Sequence, residues 1–231
     1  MNFNITKKVI KKFIRLFRKK SFALNELDLK LLAHLEFKSG FFVEVGANDG
    51  ISQSNTLLLE QKLDWRGILI EAIPSLAKQC MFNRPKCIVE NCALVSSNYE
   101  ASYVEMRYCN LMSVVKGGMK NPEDEEYHIQ RGKRFLGVNE NVHTVKARAM
   151  TLTQVLEKHC IDEVDFLSLD VEGYETEVLK GIDLRRHAPK WMLIEVRNRD
   201  EIESIIATQY RPVSTLHSCE SYADILYERL T

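Results

Sequence analysis

The chain has 231 residues, with 32 Lys and Arg against 32 Asp and Glu and a formal charge of zero; this length favours one large domain over two small ones. A hydrophobic share of 45% with 28% charged residues excludes a disordered chain and a membrane bundle alike, and no apolar run approaches the ~20 residues of a spanning helix. The neutrality is a cancellation, because the first 25 residues hold eight basic residues and no acid, leaving the remainder at −8.

From Lys7 to Lys20 the apolar residues Val9, Ile10, Phe13, Ile14 and Phe17 recur at helical spacing, with lysines and arginines between them. This pattern predicts an amphipathic helix with a cationic face over residues 1–24, suited to an anionic lipid surface. Three roles stay open for it: a peripheral contact with the inner face of the membrane, packing on the domain or on a second copy of the chain, and a targeting segment. A secretory signal is not expected, since an unbroken apolar core and a small-residue cleavage site are both missing. Nothing beyond charge points to nucleic acid. The six cysteines show no C-x-x-C pair and no zinc-ligand spacing, which predicts free, mostly buried thiols in a reducing cytoplasm.

Residues 25–231 read as one domain. A helix is predicted over 25–36, then a buried strand over 41–45 that ends at a glycine. A helix over 55–63, a strand over 67–70 and a helix from Pro74 to about 82 follow. Strands are predicted over 87–95, 101–107 and 142–149, a helix over 151–159 and a strand over 164–169. A helix over 174–180 stops at Gly181. A strand over 191–196, a helix over 199–207 and two strands around Val213 and Ile225 complete the chain. Strands alternating with helices imply a mostly parallel sheet covered on both faces. Residues 108–141 break the rhythm and are read as a lid or substrate loop. Trp65 and Trp191 flank buried strands and are expected to be core anchors.

In such a sheet, ligands bind beyond the carboxyl ends of the strands. There the sequence places Glu44 and the loop Gly46-Ala47-Asn48-Asp49-Gly50, then Glu71, then Asp170-Val171-Glu172-Gly173, then Glu195. Carboxylates at neighbouring strand ends call for a polar ligand. The loop lacks the third glycine of a dinucleotide fingerprint, and Asp49 would repel a pyrophosphate. Glu71 lies 21 residues beyond Gly50, the separation at which an acid accepts ribose hydroxyls. Together these features fit S-adenosylmethionine, whose sulfonium and ammonium groups are cationic.

The segments 42–50, Ser54-Asn55-Thr56, 65–71, 165–175 and Val178-Leu179-Lys180-Gly181 resemble the FkbM-type methyltransferases, in the order in which that family carries them. The resemblance implies a Rossmann-like class I α/β fold with a seven-stranded sheet, S-adenosylmethionine as cofactor, and O-methylation of a hydroxyl on a sugar, nucleotide sugar or glycan. It implies that Glu44 and the Gly46–Gly50 loop, with Ser54, Asn55 and Thr56, hold the methionine portion of the cofactor. Glu71 would lie at the ribose, with Ala72 also at the cofactor, Cys92 and Ala93 near the adenine, and Asp170 facing both the cofactor and the reacting hydroxyl. The chain departs from the family's usual pattern with Glu71-Ala72-Ile73-Pro74 after the second strand and Asn110-Leu111-Met112-Ser113 in the insertion.

Asp170 is expected to act as base or hydroxyl orienter, with Glu172 as its helper or else as the cap of the helix near Tyr174. Ser113, His128 and Arg131 are candidate acceptor contacts, and Arg131, Lys133 and Arg134 suit a diphosphate. No metal ligand is assigned; Mg²⁺ would need Asp170 with oxygens such as those of Glu195 or Asn198. Two alternatives to a methyltransferase are a nucleotide-dependent oxidoreductase of the NAD type and a degenerate, membrane-tethered glycan-binding subunit.

Overall fold

The computed structural model describes residues 21–230; the basic N-terminal helix expected over 1–24 lies almost wholly outside the described residues. In chain order the regular elements are α1 (Leu27–Leu31), β1 (Phe41–Val45), α2 (Leu57–Leu63), β2 (Arg66–Ile70), α3 (Pro74–Asn83), β3 (Ile88–Glu90), β4 (Ala93–Leu94), β5 (Tyr103–Tyr108), β6 (Val114–Val115), α4 (Pro122–Gly132), β7 (His143–Met150), α5 (Leu152–Lys158), β8 (Phe166–Leu169), α6 (Glu175–Leu179), β9 (Trp191–Val196), α7 (Arg199–Ile206), β10 (Tyr210–Ser218) and β11 (Ala223–Arg229).

Seven strands form one sheet in the order β10-β11-β9-β8-β1-β2-β3. The five from β9 to β3 are parallel, and β11 runs antiparallel between β9 and β10. Alternate residues of the central strands feed two separate cores. Val43, Val45, Ile68, Leu167 and Ile194 pack with Val155, Val178 and Ile202 from α5, α6 and α7. Phe42, Leu69, Phe166 and Leu193 pack with Leu31, Leu59 and Cys80 from α1, α2 and α3. The expected fold is therefore present: a Rossmann-like, seven-stranded, mostly parallel sheet with helices on both faces. The antiparallel β10–β11 hairpin sets it apart from the six-stranded dinucleotide-binding order.

Three local expectations are corrected. The helix over 25–36 is reduced to a 3₁₀ turn at Leu24–Glu26 and the short α1. Asn25 and Glu26 take positive φ, and the fully buried Asp28 carboxylate accepts hydrogen bonds from the Phe22 and Leu29 N–H groups and the Ser21 hydroxyl. That carboxylate draws the preceding segment across the start of the helix. The strand over 87–95 is two strands. β3 stays on the large sheet, Asn91 Nδ2 donates to the Glu71 and Ala72 carbonyls, and β4 joins a second sheet ordered β4-β7-β5-β6. The 108–141 insertion is not a plain loop, since it contains α4, whose cap Asn121 accepts from Asp124 N–H with Pro122 in the first turn. Trp65 is a core anchor as expected, 1% exposed with its indole N–H on the Phe37 carbonyl; Trp191 is half-buried.

All six cysteines are free; Cys80, Cys92 and Cys109 are buried, Cys87 is half-buried, and Cys160 and Cys219 are exposed. No helix among the described residues is long and apolar enough to cross a membrane.

Arg84, at the end of α3, ties the two halves of the first crossover together. Its buried guanidinium contacts the Glu60 carboxylate, the Gly50 carbonyl, Ser54 Oγ and Thr56 Oγ1, and lies 3.8 Å from Glu44. Removing it leaves two acids without a cation in a dry setting. Arg84→Met is predicted to cost about 3–5 kcal/mol in urea denaturation; a cost below about 1 kcal/mol would show that the network is dispensable.

Candidate functional site

A cleft opens at the carboxyl ends of β1, β2 and β8, with an empty volume of about 870 Å³ counted out to solvent. Its shape begins with Gly46, which takes a φ of +83°. A Cβ there would lie 1.9 Å from the Asp170 carbonyl oxygen, so only glycine lets the first loop fold against the end of β8. Asn48 then enters the left-handed region, and its N–H donates to Glu71 Oε2 at 2.8 Å.

Of the residues expected at the cofactor, Gly46, Ala47, Asn48 and Ser54 line this cleft from the first loop. Glu71 and Ala72 line it from the end of β2, Cys92 and Ala93 from the start of β4, and Asp170 from the end of β8. The other five do not line it. The buried Glu44 carboxylate accepts hydrogen bonds from Ser54 Oγ, Asn55 N–H and Thr56 Oγ1, the last at 2.6 Å. It is a loop anchor, and Asn55 and Thr56 serve it rather than a ligand. Asp49 accepts from Ile51 N–H, Ser52 N–H and Ser52 Oγ, which closes its own turn. Gly50 faces Arg84 and Cys80, away from the cleft. All five acceptors and turn-formers have the residue types of ligand contacts, and only their local hydrogen bonding reveals the difference.

Glu71 is 7% exposed. Its Oε2 accepts the Asn48 N–H and its Oε1 the Ile73 N–H, both at 2.8 Å, with the Ala72 N–H also turned toward the carboxylate, which leaves lone-pair capacity for a further donor. Burial pushes its carboxyl up to about 7 against the pull of those N–H groups. The other end of the cleft is apolar, with Ile70, Leu94 and Met106 beside Cys92 and Ala93. Burial drives the Cys92 thiol up to about 12, so it stays protonated and inert.

At the end of β8 the chain turns sharply, with Glu172 at φ +57° and Gly173 at +99°. Glu175 holds the turn by accepting from the N–H groups of Val171 and Gly173 at 3.0 Å. The capping role considered for Glu172 is not filled, since α6 has no side-chain cap hydrogen bond; the turn is held instead by Glu175, a residue that sequence reasoning did not single out. This positive-φ turn brings both Asp170 and Glu172 to the cleft wall, although strand alternation predicts that only one could face it. Arg197 Nη2 pairs with Glu172 at 2.8 Å and Glu195 at 2.7 Å. Desolvation raises Asp170, Glu172 and Glu195, with mutual repulsion adding to the last two and Arg197 opposing it.

One carboxylate oxygen each from Asp170, Glu175 and Glu195 lie within 4.8 Å of one another, the set that could take a cation. Asn198 is not part of it, because its side chain caps α7 by accepting from Glu201 N–H.

The insertion supplies the remaining walls. Ser113 lines the cleft, but its hydroxyl donates to the Asn110 carbonyl at 2.7 Å and accepts Cys109 N–H, holding a turn. His128 is 6% exposed, lies 3.5 Å from Glu172 through Nε2, and shares a second cavity with Arg131, Arg134 and Arg197. Its Nε2 has no hydrogen-bond partner, and its ring bonds to the Met112 backbone. Burial and the nearby Arg197 hold it down near 4, so it is neutral. Lys133 lines neither of these two cavities. Ser52, Gln53, Leu111 and Tyr174 also line the main cleft; they sit on irregular turns that no periodicity marks, although the unusual stretch around Leu111 stood out as a sequence feature.

The cleft has the chemistry to accept S-adenosylmethionine: a buried acid with free lone pairs, an apolar compartment next to it, and acids where a cation would lie. A methyltransferase of the Rossmann-like class is what such a sheet and cleft define. The chain belongs to the methyltransferase FkbM domain family, whose model matches residues 44–225, and it is an S-adenosylmethionine-dependent methyltransferase. No curated protein sequence matches it at a significant level. Among solved structures it is similar to a human methyltransferase 10 domain containing protein, at 11% identity over 88% of this chain and 81% of that one, TM-score 0.49. It is also similar to the Aeropyrum pernix fibrillarin crystallised with natively bound S-adenosyl-L-methionine, at 12% identity over 91% and 83%, TM-score 0.46. A third is a SAM dependent methyltransferase from Aquifex aeolicus, at 13% identity over 88% and 89%, TM-score 0.44.

Glu71 gives the site a pH signature. Its carboxyl titrates near 7 in the folded protein against 4.5 ordinarily, so its contribution to stability is complete below about 4.5 and is lost as pH rises through about 7. Urea denaturation at about pH 5 and pH 7.5 is predicted to show a smaller loss on raising the pH for Glu71→Gln than for the wild type. Equal slopes would mean that Glu71 is solvated.

Proposed function

We propose that the protein transfers a methyl group from S-adenosylmethionine to a hydroxyl of a sugar, nucleotide sugar or glycan. One observation carries the reading: Asp170 and Glu172 line both the cofactor-sized cleft and the second cavity. A hydroxyl entering from the second cavity meets a carboxylate that also faces the cofactor side. The polar lining of that cavity, from Gln53, His128, Arg197 and Tyr222 among others, suits a hydroxylated acceptor better than an apolar one.

When bound, S-adenosylmethionine supplies a methyl group made electrophilic by its sulfonium. Glu71 would accept the two ribose hydroxyls on its free lone pairs, and Cys92 and Ala93 would flank the adenine. Asn48 and Ser54 would face the methionine portion. Asp170 would take the proton of the acceptor hydroxyl; desolvation raises its pKa, which makes it a stronger base than a solvated aspartate. Glu172, held by Arg197, would orient the same hydroxyl. Residues 7–20 add a cationic surface that suits anionic lipid, which would bring the enzyme to a lipid-linked acceptor.

The test is turnover to S-adenosylhomocysteine with a panel of sugars, sugar nucleotides and glycans. Asp170→Asn is predicted to lower kcat by roughly 10²–10⁴-fold and to leave cofactor affinity within a few-fold. Glu71→Ala is predicted to weaken cofactor binding in calorimetry by at least about tenfold, the cost of losing charge-assisted hydrogen bonds. Full activity of Asp170→Asn would remove it as the base, and unchanged affinity in Glu71→Ala would refute the ribose assignment.

A further inference from the structure

The second cavity, bordered by Asp170 and Glu172, is lined by charges of both signs: Asp170, Glu172 and Glu195, with Arg197 pairing the last two, and also Arg131 and Arg134. Arg131 closes the last turn of α4, and Arg134 sits in the 3₁₀ turn Lys133–Phe135 that follows it. Both are exposed, and neither pairs with an acid among the described residues. Each guanidinium lies over a ring instead, Arg134 at 4.7 Å from the centre of Phe135 and Arg131 at 5.8 Å from that of Tyr127. Stacking fixes the plane of a guanidinium and leaves its N–H edge free to take two oxygens of one anion. His128, 6% exposed and beside Glu172, borders the same cavity, and its Nε2 has no hydrogen-bond partner.

Resting on the methyltransferase reading above, we infer that the acceptor carries a phosphoryl or diphosphoryl group, which Arg131 and Arg134 hold while its sugar hydroxyl reaches the Asp170–Glu172 wall. A molecule that carries both an anionic group and a hydroxyl meets both sets of groups in this one cavity. His128, held neutral beside Glu172, offers Nε2 as a further hydrogen-bond acceptor for a hydroxyl of the same molecule. An acceptor without the anionic group would lose its anchor and its register together.

Calorimetry on the full chain tests this without knowing the acceptor. The protein is first saturated with S-adenosylhomocysteine, a step that reports on the cofactor reading by itself, and is then titrated with inorganic pyrophosphate, with uridine diphosphate and with uridine. If the first step fails, the titrations are run on the unliganded protein, so that the two readings fail separately. Pyrophosphate and uridine diphosphate are expected to bind, and uridine to bind far more weakly. Arg131→Ala and Arg134→Ala are each expected to weaken the diphosphates by roughly 10–100-fold, the loss of a charge-assisted hydrogen-bonding pair, with S-adenosylhomocysteine binding retained as proof of folding. Lys133→Ala, exposed and outside the cavity, is expected to change diphosphate affinity by less than about threefold. No diphosphate binding at millimolar concentration, equal affinity in the arginine variants, or an equal loss in Lys133→Ala would overturn the inference.

Discussion

Carboxylates at the ends of four neighbouring parallel strands are the constraint on which this structure depends. Glu44, Glu71, Asp170 and Glu195 end or follow β1, β2, β8 and β9, which lie side by side. Glu44, Glu71 and Glu195 are buried, and burying such groups without partners would cost several kcal/mol each. The chain solves each case differently, and the differences divide the labour of the site. Glu44 is satisfied by the 54–56 turn with Arg84 behind it, so it becomes structure. Glu71 receives backbone N–H groups alone, from Asn48, Ile73 and Ala72, and keeps capacity for a ligand. Glu195 leans on Arg197, which also holds Glu172. Asp170, at the centre of the row, is the acid left most open to chemistry.

The same arrangement explains why two cavities meet at one wall. Gly46 permits the first loop to touch the Asp170 backbone, and the positive-φ turn at Glu172 and Gly173 swings the following acid beside it. The second sheet and α4 then rise over this edge, since the chain leaves the large sheet at Asn91, after β3, and β4 pairs with β7 instead. The insertion is thus not an ornament on the fold. It supplies Leu111 and Ser113 to the main cleft and Leu111, His128, Arg131 and Arg134 to the second cavity.

Much of this was legible in the sequence because the central strands are apolar runs bounded by acids and glycines, and burial on both faces leaves little ambiguity there. Trp191–Val196 and Arg66–Ile70 follow their patterns closely, as does α5 with its Thr151 capping box. What escaped were places where a side chain overrides the local pattern. Asp28 bends the start of the domain, Asn91 splits what reads as one strand over 87–95 into two, and a polar helix hides in a stretch whose only signals are Asn121, Pro122 and an acidic first turn. In the site, nine of the expected cofactor residues line the cleft and five do not, a division that residue type alone does not separate. Glu44, Asp49 and Thr56 look like ligand contacts in one dimension, yet their hydrogen bonds are spent within the protein.

The most direct measurement is a crystal structure of the protein with S-adenosylhomocysteine. The account predicts both ribose hydroxyls within hydrogen-bonding distance of Glu71, the adenine between Cys92 and the apolar wall, and the sulfur on the side of the cleft that Asp170 faces. A ligand whose ribose lies away from Glu71, or one bound outside the cleft between β1, β2 and β8, would contradict it.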